Sequence, residues 1–86
     1  MATVQMLYFA RLREVLGIER ERLVLPDDVT TAGELRAWLA RRGDAWAVEL
    51  DPKRQVRIAV NHDLAGAGQA LADGDEVALF PPVTGG

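Results

Sequence analysis

Apolar residues recur at every second position near the start of the chain, with Val4, Met6 and Tyr8 on one side, and this period of two predicts a strand from Ala2 to Tyr8. The spacing then lengthens. Phe9, Leu12, Val15 and Leu16 fall three and four apart, and Gly17 follows where a left-handed terminal residue is wanted, which predicts a short crossover helix. Glu21 to Leu25 reads as a second strand, stopped by Pro26, Asp27 and Asp28. Thr31-Ala32-Gly33-Glu34 is a capping box, in which the Thr31 hydroxyl accepts from the Glu34 amide and the Glu34 carboxylate reaches back. The main helix starts there, places Leu35, Trp38, Leu39 and Arg42 on one face, and ends at Gly43. Trp46 to Leu50 is assigned a further helical turn, and Asp51-Pro52 a bend.

Val56, Ile58 and Val60 alternate with Arg57 and Ala59 as a half-buried strand that ends in the turn Asn61-His62-Asp63. Ala65 to Gln69 reads as loop and Asp73-Gly74-Asp75 as a turn. Glu76 to Phe80, with Val77 and Leu79 on one face, is the last strand, since Pro81-Pro82 forbids ladder bonding beyond it. The expected order is strand, short helix, strand, long helix, strand, strand, tail, an α+β roll with the helix on one face of the sheet. Residues 1–82 are assigned to one domain and 83–86 to a flexible tail.

Composition narrows the chemistry. Of the 86 residues none is cysteine, which removes disulfides, thiolate metal sites and a cysteine nucleophile. A formal net charge of -3 lacks the basic footprint of a nucleic-acid binder. The first residues carry no basic segment ahead of an apolar stretch, and no run approaches the roughly 18 apolar residues of a membrane span. A cytoplasmic protein with no nucleic-acid or membrane partner is expected. His62, the one histidine, lies in a turn without a nucleophile beside it and reads as a solvated loop residue. Trp38 and Trp46 read as packing residues lying side by side. Arg11, Arg13, Arg20 and Arg22, mixed with Glu14, Glu19 and Glu21, read as a solvated surface. Gly66 and Gly68 lack the strand-then-helix setting of a dinucleotide fingerprint, and no metal site is assigned.

What remains is the end of the chain, Phe80-Pro81-Pro82-Val83-Thr84-Gly85-Gly86. The two prolines should leave the sheet as a stiff, extended segment. Four further residues could then reach roughly 13 to 14 Å from the body. Gly85 and Gly86 lack Cβ atoms and would pass a narrow channel. A terminal carboxylate is an anion at neutral pH and a poor acylating agent. The chain has neither a nucleotide-binding loop nor an acyl-transfer constellation to activate it, so it reads as a carrier or substrate.

Four stretches resemble the small subunits of molybdopterin synthase, which are ubiquitin-like sulfur carriers: the Phe80–Gly86 ending, the Asp73–Leu79 run before it, Phe9-Ala10-Arg11-Leu12-Arg13-Glu14, and Val60-Asn61. The resemblance covers nearly the whole chain, and its most specific part is the Phe-Pro-Pro-Val-x-Gly-Gly ending. It implies a β-grasp fold with a mixed sheet and one main helix. It also implies that the Gly86 carboxylate is adenylated by an ATP-dependent, E1-like adenylyltransferase and converted by a sulfur donor protein to a thiocarboxylate. The tail then enters the large catalytic subunit, where sulfur passes to cyclic pyranopterin monophosphate. On this reading the chain is a non-catalytic subunit with no permanently bound cofactor, and ATP is consumed by the activating enzyme. Gly85 and Thr84 thread behind Gly86, and Thr84 has no chemistry of its own. Phe80, Pro81, Pro82 and Val83 are expected to form an apolar docking surface, the alternative being that Phe80 belongs to the core. Other readings stay open: the thiazole-synthesis carrier of thiamin biosynthesis, a covalent protein modifier, and a β-grasp interaction module with an inert tail. The helical crossover from Phe9 to Gly17 and the Phe80-Pro81-Pro82 run argue against the thiamin branch, whose shorter members usually have a tight turn at the crossover.

Overall fold

A computed structural model of the chain describes residues 2–82. The elements run β1 (Thr3–Tyr8), α1 (Ala10–Leu16), β2 (Arg20–Val24), α2 (Ala32–Ala40), α3 (Asp44–Glu49), β3 (Arg57–Val60), β4 (Asp63–Ala65) and β5 (Glu76–Phe80). The strands form one mixed sheet in the order β2-β1-β5-β3-β4. β5 lies in the middle, parallel to β1 and antiparallel to β3. This is the β-grasp arrangement that the resemblance implies.

The period of two decides which side of the sheet is covered. Val4, Met6 and Tyr8 of β1, Val77 and Leu79 of β5, and Ile58 and Val60 of β3 belong to the core with Leu12, Leu35, Leu39 and Leu50. Each large side chain so buried contributes roughly 1.5–3 kcal/mol of transfer free energy. α2 begins as its capping box requires: the Glu34 amide donates to the Thr31 hydroxyl at 3.2 Å, and the Thr31 amide donates to the Glu34 carboxylate at 3.1 Å. The loop before β5 crosses the start of this helix. Ala32 N–H donates to the Gln69 carbonyl at 2.9 Å and Gly33 N–H to the Ala67 carbonyl at 2.8 Å, so two helix-start amides without intrahelical partners are satisfied.

Several expectations need correction. Phe9 and Val15 are exposed, and only Leu12 of the presumed helix face is fully buried. Ala10 opens α1 with φ +51, a left-handed turn that changes the phase of the helix after an extended Phe9. α2 ends at Ala40, so Arg42 does not continue its face, and Gly43, at φ +81, precedes α3 instead of closing α2. The turn expected over Trp46 to Leu50 is a helix that begins earlier, at Asp44. A fifth strand, β4, was not expected. Asn61 and His62, with φ +50 and +74, make the two-residue turn with positive φ at both positions that suits the twist of a hairpin, and β4 follows.

Candidate functional site

The last described strand delivers the chain to one end of the sheet. Val77 and Leu79 of β5 point into the core, whereas Glu76, Ala78 and Phe80 point away from it and are half-buried. Phe80 is therefore not a member of the core cluster. Because β1 is parallel to β5, its far end meets the same place, and Phe9 N–H donates to the Leu79 carbonyl at 3.2 Å. Phe9, 45% exposed, thus stands beside the point where Phe80-Pro81-Pro82 leaves the ladder. From the other side β3 sets Arg57 opposite Phe80.

The outer face of the sheet continues this surface. Leu7, Ala78, Ala59 and Leu64 are register partners in a row across β1, β5, β3 and β4, and Leu64 is 71% exposed. With Phe80 they make an apolar strip on the face opposite the helices. Pro81 and Pro82 are half-buried and extend the strip. Val83, Thr84, Gly85 and Gly86, predicted as docking, threading and reacting residues, lie outside the described residues. Sequence reasoning missed Phe9 and Leu64 as surface residues. Helical spacing had placed Phe9 inward, and Leu64 stands in a run of small and polar residues whose one usable signal was the turn before it.

Two polar clusters hold the elements around this end. The Arg11 guanidinium donates to Glu49 at 3.1 and 3.4 Å, tying α1 to α3, and Arg54 lies 4.0 Å from the same carboxylate, which is nearly buried. The bond to Glu49 pushes the Arg11 guanidinium above its ordinary range. Behind the sheet, Tyr8 Oη donates to Glu21 Oε2 at 2.7 Å, and Arg42 donates to both Glu21 oxygens at 2.8 and 3.0 Å. Trp46 packs edge-on against Tyr8 with ring centres 5.4 Å apart, and Arg42 lies 4.4 Å over the Trp46 ring. Burial works to raise the Glu21 carboxyl, but the hydrogen bonds from Arg42 and Tyr8 outweigh it and hold Glu21 below the usual carboxylate range. Burial, reinforced by Glu21, drives the Tyr8 phenol well above its ordinary value. Glu21 is thus a structural partner of Arg42 and Tyr8, not part of the solvated surface expected, whereas Arg11 stays exposed while it bonds to Glu49; Trp46 meets Tyr8 and Arg42.

The described residues offer no catalytic constellation. No group of three or more His, Asp or Glu side chains among them could hold a metal ion. His62 projects into solvent, its Nε2 3.5 Å from Glu76. Among the described residues no helix is long and apolar enough to cross a membrane. The chemistry that this scaffold can serve is presentation: a fixed apolar face next to the strand that leads into the terminal residues.

The family model described as "ThiS family" matches residues 6–86. The molybdopterin synthase sulfur carrier subunit of Haemophilus influenzae is 42% identical over 83 residues, covering 96% of this chain and 99% of that protein. Small archaeal modifier protein 1 of Haloferax volcanii is 34% identical, covering 91% of this chain and 94% of its own length. Among solved structures, the complex of subunits 1 and 2 of the molybdopterin-converting factor from Helicobacter pylori matches with a TM-score of 0.66 at 28% identity, covering 98% of this chain and 99% of that one. With the family model matching residues 6–86, the chain belongs to the ThiS family.

Proposed function

We propose that this chain is the sulfur-carrier small subunit of molybdopterin synthase, with the Gly86 carboxyl as its working group. The observation that carries the reading is the near full-length likeness to curated sulfur carrier subunits of that enzyme, with a match that runs to Gly86. The fold supports it by placing β5, and so the Phe80-Pro81-Pro82 exit, in the middle of the sheet beside an uncovered apolar face. An oxygen of the Gly86 carboxylate attacks the α-phosphorus of ATP on an E1-like activating enzyme, releasing pyrophosphate and leaving an acyl-adenylate. A persulfide sulfur of a sulfur donor protein then attacks the acyl carbon and displaces AMP, and a thiol reductant cleaves the resulting acyl disulfide, ending as a disulfide with the donor cysteine and leaving a thiocarboxylate, a polarisable nucleophile that needs no cysteine on the carrier. In the large subunit this sulfur is passed to cyclic pyranopterin monophosphate. Gly85 and Thr84 follow Gly86 into a narrow channel, while Phe80, Pro81, Pro82 and Val83, joined by Phe9 and Leu64, dock against the two partners in turn. The solved two-subunit complex of the Helicobacter pylori relative supports a large-subunit partner.

A second reading, covalent attachment of Gly86 to lysines of other proteins, is favoured by the likeness to the archaeal modifier protein. One measurement separates the two. The intact mass of the chain is followed during incubation with ATP, activating enzyme and sulfur donor, and then with large subunit and the pterin substrate. Replacement of one oxygen by sulfur, reversed when the pterin is added, is the expected result. Sulfur that loads but stays in place would move the assignment to another sulfur-carrier branch. Covalent adducts to lysine without sulfur loading would establish the modifier reading in its place.

A further inference from the structure

The sheet has an open edge at β2. β2 pairs with β1 alone and ends the strand order on that side. In this ladder Leu25 N–H donates to the Ala2 carbonyl at 2.7 Å and Tyr8 N–H to the Glu19 carbonyl at 2.9 Å. Antiparallel ladders alternate, so residues 19, 21, 23 and 25 turn their backbone groups toward β1, and Arg20, Arg22 and Val24 turn theirs outward. Among the described residues nothing else bonds to those three amides. Three donors and three acceptors therefore line an edge that can template another strand.

The side chains say what kind of strand. Arg20 and Arg22 are exposed and stand two residues apart, about 6.5 Å along the strand, with Val24, 58% exposed, next in line. Arg11, Arg42 and Arg54 each face a carboxylate, but Arg20 and Arg22 form no ion pair among the described residues. Of the acids nearby, Glu21 is engaged by Arg42 and Tyr8 on the helix side, and the Asp73 carboxylate that shares a hollow with Arg22 accepts the Thr3 amide. Glu19 precedes the strand. The edge thus presents two unpaired positive charges on a chain of net charge -3. A second copy of the chain is a poor occupant. Two-fold antiparallel pairing of β2 with itself sets Arg22 against Arg22, and one neighbouring in-phase register sets Arg20 against Arg22, like charges directly opposite being destabilising; the other sets Arg20 against Pro26, which has no amide to donate.

We propose that the β2 edge takes an extended, acidic segment of another protein as a sixth strand. Its backbone bonds to Arg20, Arg22 and Val24, its carboxylates at alternate positions face the two arginines, and an apolar residue covers Val24. A ladder this short buries less than about 1,200 Å² and belongs to weak, transient contacts. β1 lies between this edge and β5, and the proposal does not depend on the sulfur-carrier reading.

The test is a nitrogen-15 NMR titration of the full chain with the capped heptapeptide Ser-Val-Thr-Glu-Thr-Glu-Ser, which in antiparallel order sets valine on Val24 and glutamates on Arg22 and Arg20. Saturable shifts confined to β2 and its neighbours are expected, with slowed hydrogen exchange at the Arg20, Arg22 and Val24 amides. The twin peptide with both glutamates changed to lysine should bind at least about ten-fold more weakly. Arg20→Glu combined with Arg22→Glu should invert that preference; both positions are exposed, and an unchanged circular dichroism spectrum shows that the fold is kept. No shift at millimolar peptide, shifts centred elsewhere, equal binding of the two peptides, or dimerisation of the free chain through this edge would each overturn the proposal.

Discussion

Gly33 sits in the first turn of α2, where a Cβ atom would lie 2.9 Å from Ala67 Cβ and 3.1 Å from the Ala67 carbonyl oxygen. Alanine is favoured over glycine in a helix by about 1 kcal/mol, which by itself would make Gly33→Ala stabilising. The clash acts against this. The atoms it meets are backbone and Cβ of the crossing loop, so the loop must shift and strain the bonds from the Gly33 and Ala32 amides to Ala67 and Gln69, each worth about 0.5–1.5 kcal/mol. Gly33→Ala should therefore lower stability by about 1–2 kcal/mol in urea denaturation, and Ala67→Gly in the same chain should recover part of the loss. A gain in stability from Gly33→Ala alone would show that the loop yields freely. In the sequence this glycine was visible only as a member of the capping box; the contact that constrains it lies 34 positions away.

Among the elements, the seam between β1, β2 and the connection from α2 to α3 depends on Glu21, which receives bonds from Tyr8 and Arg42. Its carboxyl is held below the ordinary range, so the charged form is favoured in the fold. The resulting stability is present above the unfolded value of about 4.3 and is lost as pH falls through the depressed folded value. Glu21→Gln should thus be less stable than the parent at pH 7, and when urea midpoints are compared at pH 7, 5 and 3 the gap should hold from pH 7 to 5 and narrow at pH 3. A gap independent of pH would mean that shape, not charge, holds the seam. Periodicity alone showed Glu21 as one more exposed acid, because both of its partners are supplied by other elements.

Across the whole molecule, one face of the sheet is covered by helices and the other is left open around Leu7, Ala78, Ala59, Leu64 and Phe80. Leu64 and Phe80 contribute little to the core, so Leu64→Asp and Phe80→Ala should keep a cooperative unfolding transition close to that of the parent. If the open face is the docking surface, both substitutions should weaken binding to the large subunit and to the activating enzyme by at least about ten-fold, a loss of roughly 1.4 kcal/mol, in calorimetric titration. Undiminished binding by both variants would leave the terminal residues as the whole of the recognition.

The sequence by itself determined the local grammar: the inward set Val4, Met6, Tyr8, Val77 and Leu79, the capping box at Thr31, and the Pro81-Pro82 stop. Each of these is dictated by neighbours a few positions away, through strand alternation, helix-end hydrogen bonding or the missing amide of proline. The likeness of the Phe80–Gly86 ending to known sulfur carriers was legible for the same reason, being a local run of letters. Tertiary structure decided the rest. β4 is three residues long and is a strand because a two-residue turn returns it to β3, not because of its own pattern. Phe9 faces outward because its extended backbone continues the alternation of β1 past the inward Tyr8, and Glu21 and Glu49 became structural through arginines from elements distant in sequence. Long-range pairing sets which polar groups are desolvated and which apolar ones stay in water, and no window of the chain contains both partners.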